Sequence, residues 1–119
     1  MEAATRHRVL VIDDEPDVRQ ILREYLEMLG HEVLEGANGL EALWAVKHHQ
    51  PDVVFLDLAM PRLGGLDAIK HIRKFDSRIR IMVVSGNASR ETEISLGKLG
   101  IPVLHKPIDL ASIETFLRA

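Results

Sequence analysis

The sequence predicts an α/β fold, a doubly wound five-stranded parallel sheet with helices on both faces. Short aliphatic runs of strand length alternate along the chain with longer segments of helical periodicity. The runs are apolar throughout rather than alternating with polar residues, as in strands covered on both faces. The connections are a few residues long, and no linker or low-complexity tract interrupts the pattern. The 119 residues therefore read as one domain, residues 1–119, long enough to bury a core unaided.

The elements follow in order. RVLVI, residues 8–12, is the first strand. Val18, Ile21, Leu22, Tyr25, Leu26 and Leu29 then recur at helical spacing and form one apolar stripe. Pro16 suits the first turn of that helix, where a missing donor costs little, and Gly30 supplies a left-handed stop. His31 to Glu35 is a second strand. Asn38 caps a helix whose stripe is Leu40, Leu43, Trp44 and Lys47; it ends at His48, His49 and Gln50, before Pro51 forbids continuation. The unit recurs as DVVFLD (52–57) with a helix from Leu66 to Phe75, IMVVS (81–85) with a helix from Ser89 to Leu99, and VLHK (103–106) with a helix from Asp109 to the end. Right-handed crossovers leave few topologies, of which the flavodoxin-like order 2-1-3-4-5 suits five strands.

Composition excludes several function classes. There are no cysteines, which removes disulfides, thiolate metal sites and thiol catalysis. A formal net charge of −3 and 4% aromatic residues offer neither an electrostatic footprint nor stacking platforms for nucleic acid. No apolar run is long enough for a membrane span, and no signal-peptide pattern opens the sequence, so the expected compartment is the cytoplasm.

In open α/β sheets ligands sit outside the carboxyl ends of the strands. Those ends carry Asp13 and Asp14 after the first strand, Asp57 after the third, Ser85 after the fourth and Lys106 after the fifth. Singly, each has a plain structural account: acids before Pro16 favour the positive end of a helix, Asp57 suits the start of a turn, Ser85 is a small polar residue that can end a strand, and Lys106 can reach solvent. Together they converge, because strands 1, 3, 4 and 5 are neighbours in the expected order. Close carboxylate pairs repel by on the order of 4 kcal/mol at an intermediate effective dielectric. A hard divalent cation relieves that repulsion, and an oxygen-only donor set selects Mg2+, with Mn2+ as a substitute, over zinc. Lys106 and Ser85 supply the point charge and hydroxyl donor suited to a phosphoryl group. Asp57, on the central strand, is the favoured nucleophile.

The segments VLVIDDE, VVFLDLAMPRLGGLDAIKHIR, VVSG and VLHKPID resemble the receiver domain of bacterial two-component response regulators over nearly the whole chain. The resemblance implies the CheY-like version of this fold and transfer of a phosphoryl group to Asp57 from a sensor histidine kinase or a histidine phosphotransfer protein. It implies Mg2+ bound directly by Asp14, Asp57 and the backbone carbonyl of Ala59, with Asp13 acting largely through water. Ser85 and Lys106 would contact the phosphoryl oxygens, and Lys106-Pro107 would be a cis peptide. Ala59 and Asn87 would flank the path of the water that hydrolyses the acyl phosphate. Many receivers carry an aromatic switch residue three positions before the lysine, where this chain has Val103. With no ring to move, the expected switch is a rearrangement of Ser85, Gly86 and the loop beyond them. A downstream effector, and a homodimer formed on phosphorylation, belong to the same expectation.

The remaining features are structural in this reading. His48 and His49 are adjacent on a helix and point apart, which suits a helix end better than a metal. Trp44 reads as packing or partly exposed surface. Gly64-Gly65 lacks the pattern of a P-loop and reads as a turn after Met60-Pro61, although the family more often has an acid where Gly64 stands. Two other functions compete. A phosphatase of the haloacid dehalogenase type needs Asp-x-Asp after its first strand, whereas Ile12 precedes Asp13 and Glu15 lies two beyond it. A receiver scaffold that acts without phosphorylation would not need the full set of site residues that this chain carries. With no residue after Ala119, the sequence reads either as a stand-alone regulator or phosphorelay carrier, or as the receiver portion of a longer protein.

Overall fold

The computed structural model describes residues 6–119, so residues 1–5 of the expected 1–119 domain lie outside the described residues. The elements are β1 (Arg8–Ile12), α1 (Pro16–Met28), β2 (Glu32–Gly36), α2 (Gly39–His49), β3 (Val53–Leu56), α3 (Gly65–Phe75), β4 (Arg80–Ser85), α4 (Arg90–Lys98), β5 (Val103–His105) and α5 (Leu110–Arg118). The five strands form one sheet in the order β2-β1-β3-β4-β5, and every pairing is parallel. This is the architecture expected from the sequence. Among the described residues no helix is long and apolar enough to cross a membrane.

The period of two along each strand divides the core into two layers. Leu10, Ile12, Val54, Leu56, Ile81 and Val83 face one side and are covered by α2, α3 and α4 through Ala42, Val46, Ala68, Ile69, Ile72 and Leu96. Val9, Val11, Val53, Phe55, Met82 and Val84 face the other and are covered by α1 and α5 through Leu22, Leu26, Ile113 and Leu117. Both faces of the central strands are therefore dry, which accounts for their uninterrupted apolar sequence.

Two helical stripes differ from expectation. Leu22 and Leu26 carry the contact of α1, flanked by Val18 and Tyr25, while Ile21 lies to one side and is half exposed. On α2 the buried residues are Gly39, Ala42, Ala45 and Val46, and the expected Leu40 and Trp44 face outward. The physical reason is close approach: small residues bring α2 down onto the sheet and α3, leaving the bulky side chains on the far face. Trp44 instead stacks on His48 at 4.3 Å between ring centroids.

The strand and helix ends differ by a residue or so. His31 belongs to the turn closing α1, because its N–H donates to the Leu26 carbonyl at 3.0 Å, and β2 starts one residue later. Gly30 there has φ +95°, the left-handed stop expected. Asn38 caps α2 as expected, accepting from the Glu41 N–H at 2.9 Å. Ser89 and Asp109 are caps rather than first helical residues, accepting from Thr92 and Ala111 respectively.

One tertiary contact fixes the loop between β3 and α3. The Gly39 N–H donates to the Leu63 carbonyl at 3.1 Å, docking that loop on the first turn of α2. A Cβ at Gly39 would stand 2.2 Å from the Leu63 oxygen. Gly64 caps α3 and Gly65 opens it, and a Cβ at Gly65 would stand 2.5 Å from the Asp57 carbonyl oxygen. Gly65 is thus the close-packed member of the pair, beside Asp57, whereas a Cβ at Gly64 would only reach ordinary contact with the Leu58 carbonyl oxygen, at 3.9 Å. Gly39→Ala should destabilise the fold by about 1–3 kcal/mol, since overpacking against backbone outweighs the helix propensity that alanine adds. Urea denaturation checks this, and equal or greater stability would show that the loop is not held there.

Candidate functional site

The carboxyl ends of the strands hold the candidate residues as extensions of the sheet. The Asp13 N–H donates to the Gly36 carbonyl at 3.1 Å, continuing the β1–β2 ladder by one residue. The Asp57 N–H donates to the Ile12 carbonyl at 2.9 Å, continuing β3 against β1. The Lys106 N–H donates to the Ser85 carbonyl at 2.9 Å, continuing β5 against β4. Backbone bonds of the sheet therefore place three of the site residues, and no loop has to find its position independently.

Asp13 and Asp57 are buried, at 2% and 5% relative exposure, whereas Asp14 is exposed. Asp13 is further pinned: its Oδ1 accepts the Glu15 N–H at 2.9 Å, and its carbonyl accepts the Arg19 guanidinium at 2.6 Å. The Asp57 Oδ1 accepts a long bond, 3.4 Å, from the Ala59 N–H. Lys106 reaches into this group. Its Nζ stands 2.9 Å from Asp13 Oδ2, 3.1 Å from Glu15 Oε1 and 3.6 Å from Asp57 Oδ2. The first two are hydrogen-bonded ion pairs, and the third is beyond hydrogen-bond length.

Electrostatics agree with the geometry. Burial pushes the Asp57 carboxyl above its usual range and the charge on Asp13 pushes it further, with Lys106 opposing both. Burial by itself would lower the Lys106 ammonium, but the hydrogen bonds that it donates to Asp13 and Glu15, with the charges of Asp13 and Asp57, outweigh this and hold it above the usual lysine range. The lysine is a permanent cation that does not neutralise the cluster.

Asp13, Asp14, Glu15 and Asp57 each offer a carboxylate oxygen, and these oxygens lie within 4.8 Å of one another. The donors are all hard oxygens and Asp57 among them is electrostatically penalised, so the set fits a hard divalent cation. Glu15 is the member that the sequence reading missed. It directly follows Asp13 and Asp14, and it stands at the N-cap of α1, where a short Ser, Thr, Asp or Asn is the usual choice.

The other expected residues surround this centre. Ser85 is 1% exposed at the end of β4, and its Oγ accepts a 3.4 Å bond from the Asn87 N–H. Gly86 and Asn87 are exposed and lead toward α4. A Cβ at Gly86 would meet only the Lys106 side chain, at 4.0 Å. The Lys106-Pro107 bond is cis, as the resemblance implied. Val103 packs against the core layer on the α2, α3 and α4 side of the sheet. Ala59 is exposed beside Asp57.

A family model described as response regulator receiver domain matches residues 9–118. The chain is 38% identical over 94 residues to a chemotaxis protein CheY of Thermotoga maritima, an alignment covering 78% of each. It is 36% identical over 122 residues to a probable transcriptional regulator ycf27 of Guillardia theta, covering all of this chain and 47% of that protein, so that it spans about half the length of that relative. In three dimensions it superposes on a response regulator receiver protein from Pseudomonas putida with a TM-score of 0.87 at 30% identity, covering 96% of this chain and 97% of that one.

The Asp57 shift carries a stability consequence. A carboxyl whose folded-state pKa lies above its unfolded value costs stability wherever it is ionised in the folded state, and costs nothing below the unfolded pKa. Asp57→Asn should therefore raise the melting temperature at pH 7 without added metal. The gain should shrink toward zero as pH falls through the carboxylate range, to about 3.9. Melting curves at several pH values check it, and a loss of stability at pH 7 would show that the Lys106 attraction outweighs burial and Asp13.

Proposed function

The chain belongs to the response regulator receiver domain family, and from that premise we propose that it is a phosphoacceptor of two-component signalling whose acceptor is Asp57. The observation that carries this reading is a buried carboxylate at the end of the central strand, crowded by Asp13, Asp14 and Glu15 and faced by Lys106 at 3.6 Å. Such an arrangement is costly for the apo fold and suits the binding of cation and phosphoryl group together.

In this reading the donor is a phosphohistidine on a sensor kinase or phosphotransfer protein. One Asp57 carboxylate oxygen attacks phosphorus in line; the P–O bond forms as the P–N bond breaks, and the departing nitrogen keeps the electron pair and takes a proton from solvent. Asp14, Asp57 and the Ala59 carbonyl, with Asp13 acting largely through water, would hold Mg2+, which would supply charge neutralisation for the transferring oxygens. Lys106 and the Ser85 hydroxyl orient and stabilise the same oxygens. In this reading Ala59, too small to shield it, leaves the acyl phosphate open to water, and Asn87 orients one. The product signals to an effector rather than turning over a substrate, and the cytoplasm is the compartment that holds such donors. Nothing in the site or the relatives favours the phosphatase or the phosphorylation-independent reading.

Incubation with acetyl phosphate and Mg2+ should add one phosphoryl group by intact mass, and Asp57→Asn or chelation should abolish it. Mg2+ at about a hundred times its Kd should also stabilise the fold by about 2.7 kcal/mol, through binding the native state alone. Phosphoryl uptake that survives Asp57→Asn would overturn the assignment.

The signal must leave without an aromatic switch residue. Val103 is β-branched, with few rotamers, and is packed against the core, whereas the exposed Gly86 makes a backbone change cheap. Beryllofluoride with Mg2+ should therefore shift amide resonances over residues 85–89 and α4 while leaving the Val103 methyls nearly unmoved. Changes confined to Val103 and β5 would refute this route.

A further inference from the structure

The position and partner of Glu15 are unusual for a residue opening a helix. It occupies the N-cap of α1, yet its side chain makes no capping hydrogen bond. A longer side chain at this position gives up about 1 kcal/mol that a short capping residue would contribute. Its carboxylate crosses instead to the far end of the sequence, to Lys106 Nζ at 3.1 Å. The three carboxylates around that ammonium are not equivalent. Asp13 is the nearest, buried and pinned by the Glu15 N–H. Asp57 is buried and farthest, at 3.6 Å. Glu15 is 62% exposed and is the one partner free to swing away.

An aspartyl phosphate at position 57 would carry up to two negative charges where the free carboxylate carries one, on the side of the site that Lys106 faces most loosely. The ammonium has a third N–H for those oxygens, but advancing it toward them draws Nζ away from the two acids that it already serves. Asp13 is held by the sheet and by its own backbone bonds, so Glu15 is the partner that yields. We propose that Glu15 is a positioning residue that holds Lys106 away from Asp57 before phosphorylation and competes with the incoming phosphoryl group for it, thereby slowing phosphorylation of Asp57. This rests on Asp57 being the phosphoacceptor. Its charge acts in the same direction, because a carboxylate at the mouth of the site repels an anionic donor.

The test uses the full chain with acetyl phosphate and Mg2+. Glu15→Gln should phosphorylate about two- to fivefold faster than wild type, the scale of an exposed ion pair. Glu15→Asp keeps the charge but shortens the reach, and should fall between the two. Glu24→Gln makes the same charge change on the exposed face of α1 and should match wild type. A second readout does not depend on chemistry: the side-chain resonances of Lys106, recorded without metal or donor, should move in Glu15→Gln and not in Glu24→Gln. Since Glu15 makes no capping bond, these variants should fold, and melting curves check that each is native under the assay conditions. An unchanged or slower rate in Glu15→Gln, an equal acceleration in Glu24→Gln, a wild-type rate in Glu15→Asp, or an unmoved Lys106 would each overturn the inference. Wild-type protein that takes no phosphoryl group would instead overturn the phosphoacceptor reading, and this inference with it.

Discussion

The site is organised around a shortage of positive charge. Four carboxylates gather their oxygens within 4.8 Å, and one ammonium, Lys106, serves three of them. In water such a cluster would disperse. Here it persists because Asp13 and Asp57 are the next residues of strands whose ladders continue through them, so displacing either means breaking sheet hydrogen bonds. The energy stored as carboxylate repulsion is held by backbone pairing and by two dry core layers, and it becomes available to whatever cation and anion bind together. A divalent cation would offset two of the four carboxylate charges beside Lys106, and a phosphoryl group would then give that cation and Lys106 a common partner. In the reading proposed above, this is the sense in which the fold is prepared for phosphoryl transfer.

The supporting structure is arranged to keep that centre rigid on one side and free on the other. Toward β3 and α3, backbone meets backbone closely at Gly39 and Gly65, and the loop carrying Ala59 and Met60 is docked on α2 through the Leu63 carbonyl. Toward β4 and α4, Ser85 is buried but is followed by exposed Gly86 and Asn87, and its Oγ holds the Asn87 N–H only at 3.4 Å. A pull on Ser85 is therefore met by little resistance beyond it.

Most of this was legible in the sequence, for reasons that differ by residue. Parallel strands announce themselves because both their faces are buried, so VLVI and VVFL could be read without a partner. The strand-end residues were legible because a doubly wound sheet sends its carboxyl ends to one side, making Asp13, Asp57, Ser85 and Lys106 neighbours by topology alone. The faces of α1 and α2 were less legible. Large apolar residues mark a buried stripe only when helix and sheet stand a side chain apart, and Ala42 and Ala45 bring α2 closer than that, turning Leu40 and Trp44 outward. Glu15 escaped notice because an acid at a helix start already has a sufficient local explanation in the helix dipole. Its contact with Lys106, far along the chain, appears only when β1 and β5 are folded into one sheet.

The same logic bears on how a bound phosphoryl group could be sensed. Lys106 is tied to Ser85 through its backbone, and β5 continues from there into His105, whose Nε2 meets Glu93 of α4 at 2.7 Å. Thus α4 is attached to the site twice: through the loop after Ser85, and through this side-chain bridge to the strand that delivers the lysine. Val103 lies on neither path, since it is packed against the core layer and contributes bulk rather than motion. In a fold where an aromatic ring is available at that position, the ring can report on the cavity that Ser85 leaves. Here, in the proposed reading, that role passes to the backbone after Ser85 and to the His105–Glu93 pair. In the proposed reading, a shift of Ser85 toward the phosphoryl oxygens acts on the short connection into α4 at the same N-terminal turn that Glu93 fastens to His105, so that turn answers either by breaking the bridge or by moving together with β5.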